Sequence, residues 1–160
     1  MGKVVCKIVF LDIDGVLLTF RPERYFDEDC YTYNTDILEI FIKMLEETDA
    51  ELVLISVIAS HPNPFDWIRK SDSALAYRLR ARLHPVWKID DVTVHRGASI
   101  GRWLKWNEIS PKKAVVIDDS IHGHDPDQYG YHFIKCTTEY GMGFHQLDDL
   151  YMCLKQKDSE

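Results

Sequence analysis

None of the four cysteines, Cys6, Cys30, Cys136 and Cys153, is spaced from another as Cys-x-x-Cys, which excludes a zinc knuckle or a redox pair of that type. Cys6 and Cys136 lie in apolar, strand-like runs and read as small core residues. No apolar run is long enough to span a bilayer, and no secretory leader pattern is present. The Met1-Gly2 start has Cys6 where myristoylation favours serine or threonine. Positive charge is in deficit, with 19 Lys and Arg against 26 Asp and Glu, a formal net charge of −7. The molecule as a whole is therefore not built to cling to nucleic acid or anionic membrane. Internal repeats and low-complexity linkers are also lacking. These absences leave a cytoplasmic, reducing setting and one domain over 1–160 as the expectation.

What is present is a globular composition, 46% hydrophobic and 28% charged. Charge is unevenly spread. From Glu23 to Glu51 there are ten acidic residues against two basic ones, whereas Arg69 to Lys88 holds six basic residues and a single acid, Asp72. The run Val4 to Leu11 is apolar and β-favouring, as expected of a strand buried on both faces. It ends in Asp12-Ile13-Asp14-Gly15, whose two carboxylates, two residues apart, point to one side if the extended geometry persists. Carboxylates held side by side repel unless a cation or hydrogen bonds stand between them, which suggests an oxygen-liganded, magnesium-type site.

Further along, residues 17–35 show no period and form a long connection or small flap. Asn34 or Thr35 caps a helix with Ile37, Ile40, Phe41, Met44 and Leu45 inward. Glu51 to Ser56 reads as a second buried strand, and Phe65 to Leu83 as a helix with Leu75, Leu79 and Leu83 on one face. Arg78 and Arg82 share another face of that helix, and this cationic segment is expected to line the approach to the site. Pro85 to Val94 is ambiguous, with Val92-Thr93-Val94 as its best strand. Gly97 to Asn107 reads as a helix with Ile100, Trp103 and Leu104 inward. Lys113 to Asp119 repeats the opening theme, a buried strand ending in two carboxylates. A strand at Tyr131 to Cys136, a turn at Gly141-Met142-Gly143 and a short helix to Leu154 close the pattern. The alternation predicts a three-layer α/β/α sandwich, Rossmann-like, around a mainly parallel sheet. In such a sheet the ligand crevice lies beyond the carboxyl ends of the strands, where Asp12, Asp14, Ser56, Asp118 and Asp119 would meet.

Those strand ends resemble the haloacid dehalogenase (HAD) superfamily of phosphotransferases. Asp12-Ile13-Asp14-Gly15-Val16 matches its first motif, Ser56 the second and Asp118-Asp119 the fourth, with Arg96 as third-motif cation and Lys88, Lys112 or Lys113 as substitutes. Arg96-Gly97-x-x-Ile100-x-x-Trp103-Leu104, with Val115-Val116-Ile117-Asp118-Asp119, is similar to the small members with minimal cap known from Swiss-army-knife RNA repair proteins. That group carries Ser-Ser-Ser-Trp-Arg after the second strand, where this chain has Ser56-Val57-Ile58-Ala59-Ser60.

The resemblance implies a magnesium-dependent phosphomonoester hydrolase. Asp12 would be the nucleophile and Asp14 the general acid and base; Ser56 and Arg96 would hold the phosphoryl oxygens. Mg2+ would sit among Asp12, Asp14 (through its backbone carbonyl) and one carboxylate of the Asp118-Asp119 pair, Asp118 by preference. Substrates would be phosphorylated small molecules, nucleotides or nucleic-acid ends. The alternatives are a non-catalytic domain of the same fold that binds a phosphorylated ligand or a protein partner, and a receiver-type phosphoacceptor, which the serine ending the middle strand disfavours. His122-Gly123-His124 reads as a polar loop beside the site more readily than as a transition-metal pair.

Overall fold

The computed structural model describes residues 5–20, 31–55, 62–89 and 95–155. Five parallel strands form the central sheet: β1 (Ile8–Leu11), β4 (Glu51–Leu54), β5 (Leu83–Lys88), β6 (Ala114–Asp118) and β7 (His132–Lys135). Their spatial order is β5-β4-β1-β6-β7. The short strands β2 (Thr19–Phe20) and β3 (Tyr31–Thr32) pair antiparallel within the segment 17–35.

Side-chain alternation along the strands sorts the core onto two faces. Val9, Leu11, Leu52, Leu54, Val115 and Ile117 point to a layer made by α1 (Thr35–Thr48), α2 (Ser73–Ala81) and α5 (Phe144–Leu154). Ile8, Phe10, Val53, Ile55, Ala114 and Val116 point the other way, onto Ile100, Trp103 and Leu104 of α3 (Arg96–Trp106). Both faces are covered, so the strands read as continuous apolar runs. This is the expected α/β/α sandwich. The short helix α4 (Pro126–Tyr129) packs on α3, where Gly97 and Gly101 make room for the Tyr129 ring. Among the described residues no helix is long and apolar enough to cross a membrane.

Asn34 caps α1 as expected, its side chain accepting from the Ile37 amide at 3.1 Å. The buried stripe of α1 is wider than expected, because the helix packs against both α2 and α5. Leu38 and Ile42 join it, while Ile40 is exposed.

The extent of one expected helix is corrected. The helix expected over Phe65 to Leu83 is confined to α2, and Leu83 opens a strand. Upstream, the Tyr33 hydroxyl donates to Asp72 Oδ2 at 2.5 Å and accepts from the Arg69 amide at 2.8 Å, tying the backbone into a tight turn at Lys70–Asp72. Pro85 lies inside β5, which is a sheet edge, where a missing amide donor is tolerated. Residues 92–94, where this ambiguous segment best suggests a short strand, lie outside the described residues.

The paired arginines of the cationic segment, Arg78 and Arg82, do not line the site either. Arg78 pairs with Glu46 of α1 through Nε at 3.1 Å and Nη2 at 2.5 Å. Arg82 donates to the Ala50 carbonyl at 2.7 Å and to Asp49 at 3.0 Å, beside the start of β4 and so at the opposite end of the sheet. Arg69 lies over the Tyr33 ring and against Asp72. Arg78 and Arg82 are thus matched to the acidic segment that precedes them, and Arg69 to the one acid of its own segment.

Candidate active site

In sequence order the sheet grows outward from β1 through β4 to β5, then resumes on β1's other side with β6 and β7. The reversal falls between β1 and β6, the place where open α/β sheets leave a crevice. Leu11 is in register with Ile117, so the next residues, Asp12 and Asp118, leave adjacent strand ends together. Both are buried, while Asp119 is half-buried and Asp14 exposed. One carboxylate oxygen from each of Asp12, Asp118 and Asp119 lies within 4.8 Å of the others. The turn after Asp12 depends on glycine. Gly15 has φ 78°, and a Cβ there would stand 2.2 Å from Asp119 Oδ2. The Asp119 carboxylate therefore rests against the turn and accepts from Thr138 Oγ1 at 2.8 Å.

Arg96, the first residue of α3, enters this group from the side. Its Nη1 is 2.6 Å from Asp118 Oδ2 and 3.6 Å from Asp12 Oδ2. Lys112 and Lys113 precede β6 at the other end of the sheet, and Lys88 lies on the edge strand, so Arg96 is the cation beside the acids. His124, fully enclosed, places Nε2 2.8 Å from the same Asp118 oxygen and Nδ1 3.1 Å from the Tyr131 hydroxyl. An ionised carboxylate only accepts, so Nε2 carries the proton toward Asp118. Asp118 Oδ1 accepts from the Ser120 amide at 3.2 Å.

This asymmetry divides the acids. Burial, the largest influence on Asp118, pushes its pKa up, but hydrogen bonds from His124, Asp119 and Arg96 and the arginine charge outweigh it and hold the group below the usual carboxylate range. Asp12 has too little compensation. Burial and then the Asp118 charge raise its pKa to about 8, against the pull of Arg96. Asp14 is raised by burial and by Asp119, and Asp119 by burial and by Asp118. Three converging carboxylates, without sulfur or imidazole among them, suit a hard divalent cation. Ser56 lies outside the described residues.

A family model described as the HAD domain in Swiss Army Knife RNA repair proteins matches residues 8–146. The chain belongs to this family. Among solved structures, this HAD domain is similar to a candidate HAD-like phosphatase from Mesorhizobium loti, with TM-score 0.50 and 12% identity over 100% of this chain and 92% of that one. It is also similar to the cobalt-bound deoxy-D-mannose-octulosonate 8-phosphate phosphatase from Haemophilus influenzae, with TM-score 0.45, 14% identity and 92% and 87% coverage. No curated protein matches it in sequence.

Two polar contacts of the HAD site escape sequence reading. His124 had a signal, an imidazole in the loop just after the acid pair, but sequence does not show that the loop turns it inward. Thr138 had none, since only the fold brings it to Asp119.

Proposed function

We propose that this HAD domain hydrolyses phosphomonoesters with magnesium through an aspartyl phosphate on Asp12, and that its substrates are nucleotides or nucleic-acid ends. The observation that carries the reading is the convergence of Asp12, Asp118 and Asp119, with Arg96 against them, at the β1/β6 crevice. Asp12 would attack phosphorus as the ester P–O bond breaks, and Asp14 would protonate the departing oxygen. Asp14 would then take a proton from the water that cleaves the aspartyl phosphate; its raised pKa and exposed position suit both tasks. Arg96 would offset charge on the phosphoryl oxygens, with Ser56 as a further donor. Asp12, the Asp14 carbonyl and Asp118 or Asp119 would hold Mg2+. The cation would screen the anionic nucleophile from an anionic substrate.

The test is release of inorganic phosphate from an aryl phosphate, from mononucleotides and from phosphate-terminated oligonucleotides, each with magnesium and with chelator. Turnover with magnesium that stops in chelator is expected. Equal turnover in both conditions would remove the metal from the reading, and turnover of the aryl ester alone would remove the nucleotide substrates.

His124 serves this reading as a positioning residue for Asp118, and such partners of metal-site groups are typically worth about 10- to 100-fold in metal affinity. His124→Phe is expected to weaken magnesium binding by about tenfold in calorimetric titration. His124→Gln, whose amide can still donate to Asp118, should recover much of that loss. Equal affinity in the phenylalanine variant would show that Arg96 and the Ser120 amide position Asp118 without His124.

A further inference from the structure

Lys88 of the basic segment lies away from the acidic helix, on the edge strand. Lys88, at the end of β5, faces Arg102 of α3 across a surface groove of about 270 Å³, also lined by Ile89, Ser99, Trp103 and Trp106. Among the described residues neither cation pairs with a carboxylate; Arg102 donates to Ser99 Oγ at 3.3 Å. Trp103 forms the floor, its ring edge-on to Phe10 at 5.2 Å and its Nε1 donating to the Val86 carbonyl at 2.8 Å. Trp106 is different. It is 86% exposed, the most exposed large apolar side chain among the described residues, and it belongs to neither core cluster described.

We propose that this groove binds a single-stranded polynucleotide, with a base stacked on Trp106 and its phosphates beside Lys88 and Arg102. An exposed indole beside two cations that meet no carboxylate among the described residues is an arrangement that holds single strands without reading their sequence. The groove is also placed to receive a strand whose end is in the crevice. Lys88 is in register with Leu54 and Leu54 with Leu11, the residue before Asp12, so the Lys88 backbone stands two strand spacings, about 10 Å, from the end of β1 that carries Asp12. From Arg96 at the acids, α3 carries Ser99, Arg102 and Trp106 about 4.5, 9 and 15 Å further along its axis. A purely acidic peptide such as poly-glutamate would satisfy the two cations but has no flat ring for the indole. The net charge of −7 opposes general adhesion to nucleic acid, which makes a local groove the more necessary. The proposal rests on the phosphatase reading only for the terminal phosphate of the bound strand.

The experiment is fluorescence anisotropy of a labelled, phosphate-terminated single-stranded RNA octamer, in chelator so that nothing is turned over, with thermal melting of each variant to confirm folding. Trp106→Ala and Arg102→Glu are each expected to bind about tenfold more weakly than the native chain, while Tyr77→Ala, at an exposed ring on α2, binds as the native chain does. Poly-glutamate should compete poorly. Unchanged binding in folded Trp106→Ala and Arg102→Glu overturns the groove even if the aryl phosphate is hydrolysed. Competition by poly-glutamate as strong as by unlabelled RNA overturns the choice of ligand. Native chain that binds the strand through Trp106 but hydrolyses no phosphate ester keeps the groove and removes the phosphatase reading.

Discussion

Asp12→Asn is expected to lower hydrolysis of an aryl phosphate by at least about a thousandfold, as loss of a covalent nucleophile does, and to make the metal-free protein more stable. The second effect follows from the first residue's surroundings. An ordinary aspartate titrates near 3.9, whereas burial and the neighbouring Asp118 charge hold Asp12 at about 8. A carboxyl raised in this way contributes its stability below its unfolded pKa and loses it as pH rises through the folded one. The metal-free native chain should therefore weaken between about pH 4 and pH 8. Asparagine keeps the shape, carries no charge and escapes that loss. At neutral pH the difference should be on the order of 3 kcal/mol, or about 5 °C or more in Tm. Thermal melts of both proteins across that pH range, in chelator, check it. Parallel pH profiles would mean that Asp12 is not the strained acid, and surviving turnover would mean that it is not the nucleophile.

Arg96→Met should have the opposite effect on stability. Arg96 is the cation shared by Asp12 and Asp118, and its side chain is mostly enclosed. Removing one partner of such a group leaves buried negative charge uncompensated, which costs about 3 kcal/mol. Because the cost is electrostatic, magnesium should recover part of it by supplying positive charge to the same carboxylates. Urea denaturation of native and variant protein, with magnesium and with chelator, should show a large gap in chelator and a smaller one with the metal. A gap indifferent to magnesium would assign the loss to packing of the arginine stem. Phosphate release should fall by at least about a hundredfold in the variant.

The strands of the sheet centre were legible because burial on both faces leaves an unbroken apolar run, and Asp12, Asp118 and Asp119 could be placed together because parallel strands end on one side. Arg96 was legible as the residue opening a helix just before the last acidic strand. The sheet edge was not. Pro85 argues against a strand wherever both ladders are needed, and only the order of the strands shows that β5 needs one. The role of Arg78 and Arg82 was hidden for a related reason. Their exposure to phosphate or to Glu46 and Asp49 depends on which end of the sheet they occupy, and spacing along one helix carries no such information. His124 shows the limit most plainly, since two histidines in one polar loop, His122 and His124, face solvent and core respectively.

The strand order also fixes when the site can exist during synthesis. β1 holds the centre of the sheet, yet its neighbour β6 is made about a hundred residues later, with Leu11 waiting for Ile117. At roughly 5–20 residues per second, the emerging chain carries β1 with one side unsatisfied for about 5 to 20 seconds. During that interval Asp12 has neither Asp118 nor Arg96 beside it for most of the wait, so it titrates as an ordinary acid and keeps the nascent strand end charged and hydrated. Its strain arrives only with β6, the step that closes the sheet. Binding of a divalent cation to the three acids would then report that the last central strand has docked.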